Sequence, residues 1–173
     1  ATSLDVTSLG AIDSANNAAI VITNTATFDA GANSINLGNQ ATDTATFGSL
    51  DLSGGAIVIE EDNATTIDNA AATSLDITST GAIDNASNAV IAVSGVGVFD
   101  AGANSINLGD QTTDTVDFGS IDLTGTAVVI EEDSATTIDN AAATSLDIAS
   151  SGAIANANNA VIFSVVIIIA DDR

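Results

Sequence analysis

The sequence contains no cysteine, proline, methionine, tryptophan, tyrosine or histidine, and its single basic residue is Arg173, the last of 173. Each absence removes a class of function. Without cysteine there is neither a disulfide nor a thiolate metal site. Without cysteine and histidine, a Ser–His–Asp or Cys–His nucleophile cannot be assembled. Without lysine or arginine in the body of the chain, nothing neutralises phosphate, which excludes nucleic acid as a partner and disfavours anionic membrane surfaces. Gly54-Gly55 is not followed by lysine, so it is no phosphate-binding loop. The final apolar run, Val165 to Ala170, is far too short to span a bilayer, so no membrane insertion is expected. The opening ATSLDVTSLG has neither the basic region nor the long apolar run of an export signal, which is expected to lie elsewhere, as is any anchor.

What remains is a narrow alphabet. Hydrophobic residues make up 46% and mean hydropathy is +0.40, yet the apolar residues are Ala, Ile, Val, Leu and five Phe. Asp, Asn, Ser, Thr and Gly supply most of the rest. β-Branched residues mixed with small turn formers suit many short strands joined by tight turns. The formal charge is −22, but this hydrophobicity is too high for a disordered chain. Cations are the natural counter-species.

The main signal is internal repetition. ATSLD begins at Ala1, Ala72 and Ala143, DAGANSINLG at Asp29 and Asp100, and ATTIDNAA at Ala64 and Ala135. All three give a period of 71, and residues 1–71 and 72–142 agree at 50 of 71 positions. The chain therefore reads as a single solenoid over 1–173, made of repeats 1–71 and 72–142 and a partial repeat 143–173. Inside each unit a hydrophobe followed by Asp recurs at Leu4-Asp5, Phe28-Asp29 and Leu50-Asp51. It returns at Leu75-Asp76, Phe99-Asp100, Ile121-Asp122 and Leu146-Asp147. These spacings divide each repeat into three coils of about 24 residues, a length within the range of solenoid repeats.

Every such coil holds three strand candidates. The first follows the pattern Leu4-Asp5-Val6, the second centres on Ile12, Ile35, Ile57, Ile83, Ile106, Val128 and Ile154, and the third lies near Ile22, Phe47, Ile67, Val93, Phe118 and Ile138. The expected fold is all-β: a three-sided parallel β-helix, or β-solenoid, of about seven coils. At about 4.8 Å per coil it is about 34 Å long. Strand alternation turns Leu4 and Val6 inward and Asp5 outward. The register further expects Leu4, Phe28, Leu50, Leu75, Phe99, Ile121 and Leu146 to form one buried column.

The [ST]-[LFI]-D coil start, the Gly/Asn turns and the acidic, lysine-free composition resemble bacterial β-solenoid surface proteins, of the filamentous-haemagglutinin-like, giant repeat adhesin or surface-layer class. The resemblance covers nearly the whole chain as a style of repeat. It implies export to the cell surface, a structural or adhesive role as a fibre or stalk, no catalytic residue, and cell-surface glycans or proteins as partners.

Two acidic sets are the candidate sites. In this register Asp5, Asp29, Asp51, Asp76, Asp100, Asp122 and Asp147 stack as one row, which either binds Ca²⁺ as a carboxylate ladder or serves as a soluble outer face. Glu60-Glu61-Asp62 and Glu131-Glu132-Asp133 hold all four glutamates and occupy the same position in successive repeats. They are a second candidate cation site or a solvated acidic turn. No cofactor is required, Ca²⁺ being the one candidate. A carbohydrate-active enzyme could use an acidic pair, but the body of the chain has neither aromatic platforms nor a basic residue. Ice binding would use Thr25-Ala26-Thr27 and Thr44-Ala45-Thr46, yet their equivalents Val96-Gly97-Val98 and Thr115-Val116-Asp117 break the pattern. Asn63-Ala64-Thr65 and Asn85-Ala86-Ser87 match the glycosylation sequon by chance. Neither end reads as a cap, so continuation or end-to-end self-assembly is expected, with Val165-Val166-Ile167-Ile168-Ile169 as the expected contact.

Overall fold

The computed structural model describes residues 1–163 and the backbone of 166–170. The side chains of the expected end contact, together with Arg173, lie outside the described residues. In chain order the strands are β1 (Leu4–Thr7), β2 (Ile12–Asp13), β3 (Ala19–Val21), β4 (Thr25–Asp29), β5 (Ile35–Leu37), β6 (Thr44–Thr46), β7 (Ser49–Ser53), β8 (Ala56–Glu61) and β9 (Thr65–Ala72). They continue with β10 (Ser74–Ser79), β11 (Ile83–Asp100), β12 (Ile106–Leu108), β13 (Thr115–Thr124), β14 (Ala127–Glu132), β15 (Thr136–Ala142), β16 (Ser145–Ser150), β17 (Ile154–Phe163) and β18 (Val166–Ala170). There is no helix among the described residues, and every strand pair is parallel.

The chain winds as a β-solenoid of about seven turns with equivalent positions about 22 residues apart. One column of paired residues runs Leu4, Ala26, Leu50 and Ile67. A second runs Ile12, Ile35, Ile57, Leu75, Gly97, Ile121 and Ile138. A third runs Thr65, Ile83, Ile106, Val128 and Leu146. Longer strands bend through corners, as their register shifts record: β9 bends once and serves two faces, and β11 bends twice and serves all three.

These registers correct the expected coil. The repeat does not contain three whole coils. Stepping strand by strand from Leu4 through Ile12, Ile20, Ala26, Ile35, Ala45, Leu50, Ile57, Thr65 and Asn69 reaches Leu75 only at the tenth step. Ten strand positions on a three-sided coil make three and one third turns. Each repeat therefore starts one face further round. Leu75 pairs with Ile57 and not with Leu50. The single hydrophobic column does not exist: Leu4, Phe28 and Leu50 share one face, Leu75, Phe99 and Ile121 the next, and Leu146 the third. All seven face inward, as alternation requires; it is the register that differs. Spacing between hydrophobe–Asp pairs measures the repeat, whereas coil length also depends on corners that carry no such pair.

Inside, alternate residues make one dry core that includes Leu50, Ile59, Leu75, Phe99 and Ile130. Phe28 meets Phe47 edge-on with ring centres 5.9 Å apart, and Phe99 meets Phe118 in the same way at 5.5 Å. A narrow interior admits such a pair only beside a small residue. Ala26, and at the equivalent position Gly97, provide it. A side-chain carbon on Gly97 would lie 2.9 Å from both Phe99 and Phe118. At the corners, Asn17, Asn88 and Asn159 adopt left-handed backbone with φ of 60°, 64° and 69°, a conformation that Asn tolerates better than most residues.

The rotated register has a direct test in a chain free of cysteine. Ser74 pairs with Ala56, and adjacent parallel strands place such Cα atoms within disulfide range. The double variant Ala56→Cys with Ser74→Cys is expected to oxidise to a crosslink under mild conditions. Ser49→Cys with Ser74→Cys, the pair that three whole coils per repeat would juxtapose, is expected to stay reduced. Free-thiol titration after oxidation distinguishes the two registers.

Candidate functional site

The seven aspartates do not form a continuous row, because the one-third turn per repeat separates them. Asp5 faces Thr27, which faces Asp51, which faces Asn69. Asp29 lies between Thr7 and Ser53, Asp76 between Val58 and Val98, and Asp100 between Thr78 and Thr124. Asp122 lies between Val98 and Asn140, and Asp147 between Val129 and Ile168. None of the seven has another as its direct neighbour. Asp29 and Asp100 instead accept a hydrogen bond from the backbone N–H two residues on, at Gly31 (2.9 Å) and Gly102 (2.8 Å), the side-chain turn that Asp favours. Asp122 accepts one from the Asn140 amide at 3.0 Å. Burial pushes the Asp51 and Asp76 carboxyls up from their ordinary value. Asp68 adds to the effect on Asp51, and Asp100 and Asp122 add to that on Asp76.

The glutamate clusters have a buried centre that a solvated turn lacks. Glu61 is 3% exposed and Glu132 2%, so the middle acid of each cluster is a buried carboxylate, while Glu60, Asp62 and Asp133 are exposed. One oxygen of Glu61 accepts the backbone N–H of Phe47 at 2.7 Å, and the other accepts the Thr65 hydroxyl at 2.7 Å. Beside it, the Asp62 carboxylate accepts the N–H of Ala45 at 2.8 Å, while the Asp62 N–H donates to the Ala45 carbonyl at 2.8 Å. The second copy repeats the arrangement. Glu132 accepts from Phe118 at 2.8 Å and from Thr136 at 2.5 Å, and Asp133 accepts from Val116 at 3.0 Å. These corners are where the coil shortens. Ala45 meets the chain again already at Asp62, with no strand there to receive the N–H groups of β6. Two carboxylates stand in for the missing strand carbonyls.

Glu60 is exposed and borders a shallow cleft of about 150 Å³ lined by Gly38, Gln40, Asp43, Glu61 and Asp62. Both oxygens of Glu61 are committed to the backbone and to Thr65. Among the described residues no three acidic side chains converge as ligands for one metal ion.

Other polar residues, not singled out by the sequence pattern, share this role. Asp43 accepts from the N–H of Ala18 (2.9 Å) and the Ser14 hydroxyl (3.1 Å). Asp114, one repeat later, accepts from Ala89 (3.1 Å) and the Asn85 amide (2.7 Å). Asp68 accepts from Thr25 (3.0 Å) and Ser49 (2.7 Å), and Asp139 from Ser120 (2.7 Å). Asn33 and Asn104 each bridge two carbonyls, one in their own turn and one in the coil before. The available signal was their identity between successive copies of the repeat. The sequon asparagines are likewise engaged: Asn63 donates to the Phe47 carbonyl, and Asn85 is 5% exposed.

Fold and polar network together define a three-sided parallel β-solenoid repeat protein. Residues 1–51 and 54–122, more than half of the chain, match the family described as repeats of unknown function (DUF5649), and the chain belongs to that family. Comparison with curated proteins and with solved structures returned no significant match.

Burial drives the Glu61 pKa from 4.5 up to about 7, against the opposing pull of Thr65 and the Phe47 N–H, with Asp62 adding to the rise. Glu132 shifts the same way, also mainly by burial. A carboxyl whose pKa rises on folding binds more protons in the native state. Its stabilising contribution is complete below about pH 4.5 and is lost as pH rises toward 7. For Glu61 the loss is on the order of 2–3 kcal/mol. The melting temperature is therefore expected to be higher at pH 5 than at pH 8. Glu61→Gln is expected to flatten that difference and raise stability at pH 8. Glu61→Ala, which strands the Phe47 N–H, is expected to cost about 1–3 kcal/mol at either pH. A Gln variant that melts lower at both pH values would show that the corner needs the ionised carboxylate.

Proposed function

We propose that this chain is a structural element of an extracellular fibre, surface layer or adhesin stalk, non-catalytic and needing no cofactor. One observation carries the reading: polar side chains that recur between copies are spent on the chain's own backbone or, for Asp68 and Asp139, on hydroxyls of neighbouring coils. Glu61 and Glu132, Asp43 and Asp114, Asp68 and Asp139, and Asn33 and Asn104 all close corners or bridge coils. A substrate site breaks a repeat at one place, whereas scaffold chemistry recurs in every copy. Membership of a repeat family and an all-β rod support the same reading. The resemblance to bacterial solenoid adhesins supplies the cell-surface setting and the cell-surface glycans or proteins as partners, with other copies of the repeat as assembly partners.

Negative-stain electron microscopy of concentrated protein tests the assembly. Rods of uniform width and variable length are expected. A monodisperse single-chain species at high concentration, shown by light scattering, would count against an end-to-end fibre.

A cation-binding matrix role draws on the same charge of −22, and salts separate it from a scaffold. The aspartates sit two coils apart within a column, about 9.6 Å, so a single ion does not bridge them. At matched ionic strength NaCl and CaCl₂ are expected to raise the melting temperature equally, by screening. Stabilisation by Ca²⁺ at far lower concentration would favour the matrix reading.

A further inference from the structure

Two copies of one repeat, folded alike, separate the residues the scaffold needs from those it leaves free. Residues 1–71 and 72–142 agree at 50 of 71 positions, and their differences are unevenly placed. The longest unbroken run of differences sets Val21 to Thr27 against Ala92 to Val98. Another adjacent pair sets Ala45-Thr46 against Val116-Asp117, and a single difference sets Asn63 against Ser134. In the second copy these three places meet. β11 pairs with β13 so that Ala92 lies beside Asp117, and the Ser134 hydroxyl donates to Asp117 Oδ1 at 2.7 Å.

A cleft of about 320 Å³ opens there, lined by Ala72, Ala92, Val93, Ser94, Asp117 and Gly119. Its size falls within the range of small-ligand sites, about 300–1,000 Å³. Four of the six lining residues stand where the copies differ. The changes share a direction: Val21, Ile22, Thr23 and Asn24 become Ala92, Val93, Ser94 and Gly95, each the smaller residue. On the facing strand Thr46 becomes Asp117, a carboxylate in place of a hydroxyl. In the third copy Phe163 takes the position of Ala92. Space and charge thus coincide in the second copy, where β9 and β13 pair with β11 on either side. The cleft lies in the interior of the solenoid, with coils above and below it.

Its chemistry is specific. Ala72, Ala92 and Val93 supply apolar lining, and Val90, 49% exposed although Asn69 and Thr115 flank it, extends the apolar surface alongside. Asp117 is exposed, and its Oδ2 has no partner among the described residues. Residues 1–172 contain no base to neutralise it. Its charge adds to the rise of the Glu132 carboxyl, a repulsion that a cation at Asp117 offsets. The planar fork of arginine asks for both oxygens of a carboxylate, and Ser134 holds one of them. A single free oxygen suits the compact ammonium of lysine, whose aliphatic stem packs on apolar surface.

We propose that the cleft of Ala72, Ala92, Ser94 and Asp117 is a docking site for a lysine side chain of a partner protein, with the ammonium on Asp117 Oδ2 and the stem over the alanines. The site goes beyond the structural reading and stands whether or not the rods assemble, because one corner of the solenoid builds it.

The probe is the blocked peptide acetyl-Ala-Ala-Lys-Ala-Ala-amide, titrated onto the isotope-labelled full chain at physiological salt, with amide NMR shifts as the readout. Saturable shifts confined to Val90–Gly95 and Thr115–Gly119 are expected. Asp117→Asn is expected to weaken binding about tenfold or more. Ala92→Phe, which fills the cleft with the third copy's residue, is expected to do the same. Neither variant is expected to lower the melting temperature, since both side chains are exposed. Peptides with arginine or norleucine in place of lysine are expected to bind several-fold more weakly, as is n-butylamine, which has the stem and the charge but no backbone. Unchanged affinity in either variant overturns the proposal. Shifts spread over the aspartates of every face would show a screening atmosphere only and also overturn it. Equal binding of norleucine would reduce the site to an apolar contact, equal binding of arginine would remove the single-oxygen geometry, and equal binding of n-butylamine would assign the cleft to a free alkylamine; each of these overturns the lysine assignment.

Discussion

The coil-on-coil hydrogen-bond ladder is the constraint on which everything else in this molecule depends. Parallel strands stacked about 4.8 Å apart force each residue to meet equivalents directly above and below. The interior is then a stack of thin layers, and each layer must fill the same narrow cross-section. Ile, Leu, Val and Ala do so at most levels. Where Phe28 meets Phe47, or Phe99 meets Phe118, a neighbouring Ala26 or Gly97 makes the room. Tryptophan and tyrosine are missing for the same reason that Gly97 is present: the layer has no space for more volume, and buried polar tips would need partners.

The ladder also explains how a chain with 23 acidic residues and one basic residue stays folded. A repeat that matched a whole number of coils would set like residues on one line, each carboxylate about 4.8 Å from the next in every coil. Repulsion at that distance is about 1 kcal/mol per pair even in water. A repeat of three and one third coils rotates the pattern instead. Thr, Val, Ser and Asn then sit between aspartates, as Thr27 does between Asp5 and Asp51 and Val98 between Asp76 and Asp122. Separation along a column roughly doubles, and the repulsion that remains is the one Asp76 meets from Asp100 and Asp122 and Asp51 from Asp68. Thus the charge is spread over three faces, each of them polar but none an unbroken anionic stripe.

That fractional repeat has a structural cost, and the glutamates meet it. Making a third of a turn within a fixed repeat requires coils of unequal length, so some strands face a corner where a strand is expected. At Phe47 and Phe118 the backbone N–H would be left bare, and a buried carboxylate supplies the acceptor. Burial of the charge is unfavourable, which is what lifts the pKa of Glu61 and Glu132. Two hydrogen bonds to each carboxylate offset part of that penalty. The corner is thereby sensitive to pH in a direction opposite to that of a salt-bridged protein, because among the described residues no basic side chain stands beside it to hold the carboxylate ionised.

Some of this was legible from the residues alone. The period of 71, the all-β class, the parallel solenoid and the inward side of each strand follow from composition and from alternation at period two, which are local properties. The register did not follow. Three nearly equal hydrophobe–Asp spacings per repeat invite a whole number of coils, and nothing local in Leu75 reveals that it lies over Ile57. Only pairing between strands decides that, since a corner can absorb several residues without altering either flanking pattern. The role of Glu61 was hidden for the same reason. In sequence it is the middle of three acids, and acids in a turn read as solvated. Thr65 lies close by in sequence, but the Phe47 N–H comes from the preceding coil, and the tertiary fold alone brings it over the carboxylate.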